Sequence, residues 1–454
     1  MEPGRHIYFI GIGGIGMSAL ARFFHAAGYP VAGYDLTPSD LTEALVSEGI
    51  QISYEDDFNT VPEEYRSRRT LVVRTPAVPQ TNLILSRFRE GGNEEVKRSQ
   101  LLAQVAEDKR CLAVAGTHGK TTTSAILAHI MHGSSMGCTA FVGGVLSGYE
   151  RNVLIDPESD FLVLEADEFD RSFHALSPES AVVTATDPDH LDIYSDQEGF
   201  EQAFLEFADR LNGQGRLFYE RQVELFEGIP DATNYGIQEG DVFLSDYRLE
   251  RGIHHFDLQF SADRVVTDLS FPIPGRHNLS NAIAASCLAL ESGLDDHSLR
   301  KGLAGFPGVK RRFERIIEKD DLVFVDDYAH HPREIEACIQ ATRERYPGKH
   351  ITAVFQPHLF SRTRDFMQGF ADALSNVDHL ILLPIYPARE EPIAGVSSEV
   401  LLDRVLLANK KLCEKALLAD YIAEMELEVL LTMGAGDIDR SVPLIHQRLQ
   451  PSIR

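Results

Sequence analysis

Short apolar runs and helical periods alternate along this chain, and one arrangement of them begins three times. The first arrangement starts with the apolar residues Ile7 to Ile10 and passes through a glycine-rich turn. It continues as a helical period from Met17 toward Ala27 and ends in the apolar residues Val31 to Tyr34. A strand, a helix and a second strand in this order form the repeating unit of parallel α/β sheets. The pattern therefore predicts an α/β architecture.

The same arrangement returns twice further along the chain. In the second copy, residues 111–115 are apolar and a helical period extends to about His132. In the third copy, residues 322–325 are apolar, and Pro332 follows at a place that suits the first turn of a helix. Residues 229–273 instead alternate between apolar and polar positions, which predicts antiparallel hairpins within the middle part of the chain.

Two polar segments, residues 89–99 and 305–310, each join a finished helical pattern to a new strand pattern and are the expected linkers. A length of 454 residues matches about three domains of ~150 residues each. We therefore predict domains of residues 1–102, 103–308 and 309–454.

Composition narrows the classes of protein to consider. Hydrophobic residues make up 43% and charged residues 25% of the chain, which excludes wholesale disorder. Asp and Glu outnumber Lys and Arg by 69 to 43, a formal net charge of -26, which argues against nucleic acid as a partner. The five cysteines form no C-x-x-C pair, and the first thirty residues lack the features of a signal peptide. Since no apolar run approaches the ~20 residues that span a bilayer, we expect a cytoplasmic protein without membrane insertion.

The most specific motif is a phosphate-binding loop. Gly116-Thr117-His118-Gly119-Lys120-Thr121 follows a buried-type strand and opens a helix. Backbone N–H groups and the helix dipole at such a turn attract phosphate groups. The motif predicts that Lys120 contacts β- and γ-phosphate oxygens and that the Thr121 hydroxyl binds Mg²⁺. Two residues fewer separate its glycines than in the usual P-loop.

Candidate metal ligands follow two further apolar runs. Glu165 comes directly after Leu162 to Leu164, and His190 follows residues 181–184. Ligand sites of α/β sheets collect at the carboxyl ends of strands, so these two positions are expected to converge. We predict that Glu165 binds one Mg²⁺ and that His190 binds a second ion.

The N-terminal glycine-rich turn has the dinucleotide-binding spacing Gly11-x-Gly13-x-x-Gly16, and Asp35 lies at the end of the next strand. Such a turn places a pyrophosphate on a helix N-terminus, and the acidic residue binds a ribose diol. Taken alone, the motif indicates NAD. Its physics suits any nucleotide diphosphate, however, so the identity of the base stays open.

Three polar clusters match no generic motif. Residues 275–281 open a helix, where capping by a serine or asparagine is an equally good explanation. In the third domain, residues 326–331 and 356–364 each follow an apolar run. Although a lone histidine is usually structural, so many polar groups at two neighbouring strand ends predict a site.

Together, these motifs resemble those of the Mur ligases of peptidoglycan synthesis, and most closely the alanine-adding branch of that family. The resemblance covers nearly the whole chain. It rests on eight ordered segments: Gly11 to Ser18, Ala115 to Thr123, Glu165 to Phe173, Asp187 to Tyr194, Gly275 to Asn281, Lys310 to Glu314, Asp326 to Pro332 and Phe355 to Arg364.

The resemblance implies three domains: an N-terminal Rossmann-like domain for a UDP-sugar, a central P-loop ATPase-type α/β domain with antiparallel hairpins, and a C-terminal Rossmann-like domain for an amino acid. It implies ATP-dependent ligation of L-alanine to the lactyl carboxylate of UDP-N-acetylmuramate through an acyl phosphate. The implied cofactors are ATP and two Mg²⁺ ions, and the implied partners are these two substrates.

By the same resemblance, the site residues fall into groups. The ATP group comprises Gly116, Thr117, Gly119, Lys120, Thr121, Thr122, His277, Asn278, Asn281, Arg312 and Asp327. The UDP-sugar group comprises Gly13, Gly14, Ile15, Gly16, Asp35 and His118. The amino-acid group comprises Tyr328, His330, His358 and Arg362, and the metal group comprises Thr121, Glu165 and His190. Lys120, His330 and Arg362 are the expected catalytic residues, with a neutral His330 as the base that deprotonates the amine.

The chain departs from the family pattern at two places. Leu359 stands where many members have Arg, and Ala185-Thr186-Asp187 stands where Asn-x-Glu is common. No lysine lies between His190 and Gly215, so the carbamylated lysine of the sister ligases has no candidate here. That absence fits the alanine-adding branch.

Three alternatives stay open at this point. A ligase of the same family could add a whole tripeptide during wall recycling. An NAD-dependent oxidoreductase would explain only the first thirty-five residues, and a nucleotide-gated interaction module would hydrolyse ATP without transferring anything.

Overall fold

A computed structural model describes residues 2, 4–168, 173–187, 197–213, 215–388 and 390–450. The chain divides into two compact units. The first unit comprises Met1–Tyr247, Phe256–Ser270 and Ser280–Pro307, and the second comprises Arg248–His255, Phe271–Leu279 and Gly308–Arg454.

The first unit begins with a parallel five-stranded sheet of order β3-β2-β1-β4-β5. Its strands are β1 (Ile7–Ile10), β2 (Val31–Tyr34), β3 (Gln51–Ser53), β4 (Leu71–Arg74) and β5 (Glu95–Lys97). Its helices are α1 (Ile15–Ala26), α2 (Asp40–Ser47), α3 (Leu83–Glu90) and α4 (Arg98–Ala106). The strands predicted at residues 7–10 and 31–34 are confirmed. The order of the strands reverses at β1, and ligands of such sheets bind at that point.

The linker predicted at residues 89–99 is wrong, because this segment contains β5 and the first turn of α4. Its polar composition has a different cause: β5 is an edge strand, where charged side chains are tolerated. Glu95 of β5 pairs with Arg74 and, at 2.6 Å, with Arg89.

The first unit also holds a seven-stranded sheet of order β12-β11-β10-β6-β9-β7-β8. All its pairs are parallel except β7 with β8. Its strands are β6 (Arg110–Ala115), β7 (Thr139–Leu146), β8 (Arg151–Leu154), β9 (Phe161–Glu165), β10 (Ser180–Val183), β11 (Leu217–Glu220) and β12 (Ala232–Tyr235). The helices of this stretch are α5 (Lys120–His132) and α6 (Gln197–Ala208), and α7 (Arg276–Glu291) and α8 (Asp296–Ala304) follow later in the chain.

Between β12 and α7 lies a three-stranded sheet of order β13-β14-β15. Its strands are β13 (Phe243–Glu250), β14 (Ile253–Ser261) and β15 (Arg264–Phe271). Two-residue connections at 251–252 and 262–263 join consecutive strands, which is the geometry of antiparallel hairpins. The hairpins predicted within residues 229–273 are therefore confirmed.

The second unit contains a six-stranded sheet of order β16-β17-β21-β18-β19-β20, parallel except for β16. Its strands are β16 (Glu314–Glu318), β17 (Val323–Asp327), β18 (Ile351–Phe355), β19 (His379–Leu382), β20 (Lys410–Leu412) and β21 (Val429–Met433). Its helices are α9 (Pro332–Arg345), α10 (Phe360–Asp365), α11 (Met367–Leu374), α12 (Ser398–Arg404), α13 (Leu418–Ala423) and α14 (Val442–Leu449). Pro332 occupies the first turn of α9, as predicted.

Asp326 and Asp327 lie within β17 rather than after it, so the strand predicted at 322–325 ended too early. Both side chains are buried. A buried carboxylate is stable only when it is paired or hydrogen-bonded, and Asp326 pairs with Arg311 at 3.0 Å. Local sequence does not show this distant partner.

A buried hydrogen-bond network joins α1 to β8. Asn152 donates from Nδ2 to the carbonyl of Ile15 at 2.6 Å and to the hydroxyl of Ser18 at 2.9 Å. Its carbonyl oxygen accepts from Arg22 at 2.6 Å. The amide of Asn152 is fully satisfied, so the network fixes the first turn of α1 against the seven-stranded sheet.

Among the helices of the described residues, none is long and apolar enough to cross a membrane.

The strands β1, β2, β17, β18 and β21 are buried at every position. Continuous burial of this kind is typical of parallel sheets covered by helices on both faces.

Candidate active site

The glycine-rich turn after β1 is held by backbone hydrogen bonds to the end of β2. The N–H groups of Gly11 and Ile12 donate to the carbonyl of Tyr34 at 2.8 and 3.0 Å. Asp35 accepts from the backbone N–H of Gly13 at 2.8 Å. The turn leads into α1 at Gly14, whose lack of a side chain leaves the first N–H groups of the helix uncapped by that residue. The arrangement suits an anionic group.

The phosphate loop lies between β6 and α5. Gly116 has a φ of +129°, and a Cβ atom there would lie 2.8 Å from the backbone nitrogen of Ala185, so only glycine fits. The Thr184 hydroxyl donates to the carbonyls of His118 and Ala115. These contacts hold the backbone of the loop in place. Lys120 follows the loop as the first residue of α5.

Lys120 is held by the loop and by a buried carboxylate. Its Nζ donates to the carbonyl of Gly116 at 2.6 Å and to the two carboxylate oxygens of Glu168 at 2.8 and 3.0 Å. Burial lowers the pKa of Lys120, but Glu168, Asp167 and Glu165 outweigh that effect and raise the pKa above its usual value. The ammonium group is therefore charged at neutral pH.

Thr121 and Glu165 lie together, as predicted for two ligands of one ion. The Thr121 hydroxyl donates to Glu165 Oε1 at 3.2 Å, and Glu165 Oε2 accepts from the backbone N–H of Gly143 at 2.9 Å. A hydroxyl beside a carboxylate is a hard-oxygen donor pair that fits Mg²⁺. Within the described ranges, no group of three or more His, Cys, Asp or Glu side chains forms a metal cluster. His190 lies outside the described residues.

Asn281, of the predicted ATP group, packs against the phosphate loop. A Cβ atom at Gly119 would lie 3.3 Å from Asn281 Cγ. In the second unit, Asn278 donates to the carbonyl of Pro274 at 2.8 Å and His277 is exposed. His118 lies 3.9 Å from Asp187 in the first unit.

In the second unit, two arginines lie close to the ring of Tyr328. The guanidinium carbons of Arg311 and Arg312 lie 5.2 and 5.1 Å from the ring centroid. Asp327 accepts from the backbone N–H groups of Phe313 and Ala329 at 2.7 and 2.8 Å. Burial raises the pKa of Asp327 to about 6, although Arg312 opposes the shift.

His330 and His358 come together from two different strand ends. Their ring centroids are 6.3 Å apart, and His358 stacks on Tyr386 at 5.7 Å. His330 Nδ1 lies 3.0 Å from the carbonyl oxygen of Tyr328 and 3.3 Å from Glu334. Because these oxygens only accept, the proton of the neutral ring is assigned to Nδ1, and Nε2 is free of its proton.

Burial lowers the pKa of His330 below its usual value, against the raising effect of Glu334. Burial also lowers the pKa of His358, to about 4, with further lowering by His330 and Arg362. The Nδ1 atom of His358 is buried and makes no hydrogen bond within the described residues. Both rings are therefore neutral at neutral pH, and each has a nitrogen that can accept a proton or hydrogen bond from a substrate.

Four residues contact these groups although no motif marked them: Arg98, Gly143, Glu334 and Tyr386. Glu168 lies within the motif segment Glu165 to Phe173, but no role was predicted for it. The spacing of four residues between His330 and Glu334 at the start of a helix was a usable signal. The others are brought in by the fold from distant parts of the chain.

Comparisons with known proteins cover all three parts of the chain. A model of the Mur ligase family catalytic domain matches residues 6–110, a model of the Mur ligase middle domain matches 114–289, and a model of the Mur ligase glutamate ligase domain matches 311–437. A curated UDP-N-acetylmuramate–L-alanine ligase from Christiangramia forsetii is 48% identical over 449 residues, which cover 98% of each chain.

Solved structures share the fold. The UDP-N-acetylmuramate–alanine ligase of Thermotoga maritima is 27% identical, with a TM-score of 0.84 over 98% of both chains. A murein peptide ligase from Psychrobacter arcticus is 21% identical, with a TM-score of 0.68 over 98% of both chains, and so shows the fold alone. The predicted three-domain α/β fold is thus confirmed, and an oxidoreductase limited to the first thirty-five residues does not explain these matches. The chain belongs to the Mur ligase family.

Proposed function

We propose that this chain ligates L-alanine to the lactyl carboxylate of UDP-N-acetylmuramate and converts ATP to ADP and phosphate. The observation that carries the proposal is the closed phosphate loop, in which a charged Lys120 lies beside the Thr121–Glu165 oxygen pair. Such a loop suits phosphoryl transfer. The two substrates are those named in the full-length relative that is 48% identical.

The reaction takes two bond-forming steps. The lactyl carboxylate oxygen bonds to the γ-phosphorus of ATP while the bond to the ADP oxygen breaks, which gives an acyl phosphate. The amine of L-alanine then bonds to the acyl carbon, and the bond to the phosphate oxygen breaks. The Lys120 charge stabilises the phosphate oxygens in the first step. Mg²⁺ held by Thr121 and Glu165 would add further neutralisation of phosphate charge.

The remaining site residues keep their predicted roles within this proposal. Phosphate and nucleotide contacts are assigned to Gly116, Thr117, Gly119, Thr122, His277, Asn278, Asn281, Arg312 and Asp327. UDP-sugar contacts are assigned to Gly13, Gly14, Ile15, Gly16, Asp35 and His118. Amino-acid contacts are assigned to Tyr328, His330, His358 and Arg362, and a second ion to His190.

The domain roles follow the same division. Residues 1–102 are proposed to bind the UDP-sugar, residues 103–308 ATP, and residues 309–454 the amino acid. A cytoplasmic location belongs to the proposal because all five cysteines are buried free thiols, as expected in a reducing compartment.

The proposal is tested by phosphate release from ATP and Mg²⁺ with UDP-N-acetylmuramate and one amine at a time. The amines are L-alanine, glycine, L-serine and an L-alanyl-γ-D-glutamyl-diaminopimelate tripeptide. We expect release only when the UDP-sugar and an amino acid are both present, and fastest release with L-alanine. Release driven by the tripeptide instead would identify a recycling ligase, and release without either substrate would contradict a ligase.

Asp35→Ala is expected to raise the KM for UDP-N-acetylmuramate by about tenfold or more, because it removes the proposed hydrogen bond from the ribose diol to the carboxylate. A charged hydrogen bond of this kind contributes ~1.5–3 kcal/mol. The KM for ATP should stay within twofold. Asp35→Asn is the matched variant, since its amide oxygen can still accept from the Gly13 N–H. Equal changes in both KM values in steady-state assays would place the uridine site elsewhere.

Glu165→Ala is expected to raise the Mg²⁺ concentration for half-maximal activity by about tenfold or more, because it removes a proposed ligand. Glu158→Ala removes an exposed acid of the same domain and serves as the control. The measurement is a Mg²⁺ titration of phosphate release at saturating substrates. An unchanged titration curve for Glu165→Ala would contradict a metal site at this residue.

A further inference from the structure

Two adjacent acidic residues pair with two cations, of which one follows the phosphate loop and the other lies beside the glycine-rich turn. Glu168 contacts Lys120 of the ATP loop, and Asp167 lies 3.8 Å from Arg98 at the start of α4. The segment is anchored on the seven-stranded sheet, since Ala166 donates to the carbonyl of Val114 at 2.8 Å. One short stretch of chain thus pairs with the lysine after the phosphate loop and with the arginine beside the glycine-rich turn.

Arg98 lies directly against the first turn of α1. A Cβ atom at Gly16 would lie 2.6 Å from Arg98 Nη1 and 3.4 Å from its Cζ, so the guanidinium contacts the backbone of the glycine-rich turn. A cation beside a helix N-terminus is electrostatically unfavourable on its own, because the helix dipole is positive there. The arrangement becomes favourable when an anion binds between the cation and the N–H groups.

Glu168 and Lys120 form a buried ion pair. The Glu168 side chain is 1% exposed and the Lys120 side chain 13% exposed. Removing one charge of such a pair leaves the other buried without compensation, so each holds its partner in place. Glu168 therefore fixes the Lys120 ammonium over the Gly116 carbonyl.

We propose that Asp167 and Glu168 are positioning residues, and that each holds a cation that contacts a different nucleotide substrate. Glu168 positions Lys120 for the triphosphate of ATP. Asp167 positions Arg98, which we assign to the diphosphate of the UDP-sugar. The inference rests on the proposed function for the identity of both nucleotides. It adds Arg98 to the site, and it adds separate roles for Asp167 and Glu168 that the motifs did not indicate.

The test compares Asp167→Asn with Glu168→Gln, two variants that remove one charge each from neighbouring positions. We expect Asp167→Asn and Arg98→Gln to raise the KM for UDP-N-acetylmuramate about tenfold and to leave the KM for ATP within twofold. Glu168→Gln should raise the KM for ATP or lower kcat by about tenfold and leave the KM for the UDP-sugar within twofold. Losing the proposed contact from Arg98 to a phosphate, or the hydrogen bonds from Lys120 to Glu168, has effects of this size.

Two further variants separate positioning from mere stability. Glu168→Asp keeps the charge and is expected to restore part of the loss, and Glu158→Gln, an exposed acid, should change neither KM. Thermal unfolding of each variant identifies any that fails to fold, in which case Arg98→Gln and Glu168→Asp still report on the two loops. If every variant changes the KM for ATP and the KM for UDP-N-acetylmuramate equally, the separate roles of Asp167 and Glu168 are wrong.

Calorimetric titration of the same proteins with ATP and with UDP-N-acetylmuramate measures the affinity for each substrate without turnover. A wild-type enzyme that ligates L-alanine while its variants show no substrate-specific change would overturn this inference alone. A wild-type protein that releases no phosphate from ATP with UDP-N-acetylmuramate and L-alanine would overturn the proposed function. The binding data would then test the two loops independently.

Discussion

Lys120→Ala is expected to lower kcat/KM for ligation by about 10²-fold or more, with most of the loss in kcat. The removed ammonium is held by the phosphate loop and by Glu168 and is charged at neutral pH. Removing one preorganised group that stabilises developing charge typically costs ~10²- to 10³-fold in kcat. Glu168 would also lose its buried counter-ion, so some loss of thermal stability is expected as well.

Steady-state phosphate release, with thermal unfolding in parallel, checks this expectation. Lys301→Ala is the control, because it removes an exposed lysine from a helix of the same unit. It should retain wild-type activity. A folded Lys120→Ala protein with wild-type turnover would remove this loop from the reaction.

His330→Ala is expected to lower kcat by about 10²-fold or more, the usual contribution of a positioned general base. The amine of L-alanine must lose a proton to attack the acyl phosphate. His330 is suited to accept that proton because Nδ1 faces the Tyr328 carbonyl and Nε2 is unprotonated. Its lowered pKa keeps this neutral form populated at neutral pH.

The pH dependence has a defined sign. The base acts when neutral, so the rate falls as pH decreases through the pKa of His330. Because burial lowers this pKa, the fall is expected below the ordinary histidine value of about 6.5. His330→Ala should lose this acidic limb, and His350→Ala, which removes an exposed histidine of the same unit, should keep it. An unchanged pH profile in a slow His330→Ala enzyme would assign the base to another group.

Local signals predicted the parts of this fold that depend on short stretches of chain. The strands at residues 7–10 and 31–34 are apolar at every position, and the glycine spacing after residue 10 marks the turn. The helix to His132 and the place of Pro332 follow from periodicity and from proline's missing N–H. The phosphate loop was recognisable because its chemistry lies within six consecutive residues.

Other predictions failed where a distant residue decides the structure. The segment 89–99 looked like a linker because its polar side chains suit water as well as an edge strand, and only pairing with β4 distinguishes the two. Asp326 looked like the end of a strand, but Arg311 and Thr432 make its burial possible. Neither partner is visible from the neighbouring sequence.

The sequence by itself thus determined the three α/β segments, the positions of the two glycine-containing loops and the residue types available for chemistry, because these depend on periodicity and on contiguous motifs. Only the tertiary structure decided which charges meet. Glu168 lies 48 residues from Lys120 in the chain, and Asp167 is further still from Arg98. Long-range pairing of this kind follows from the order of strands in a sheet, and no local pattern encodes that order.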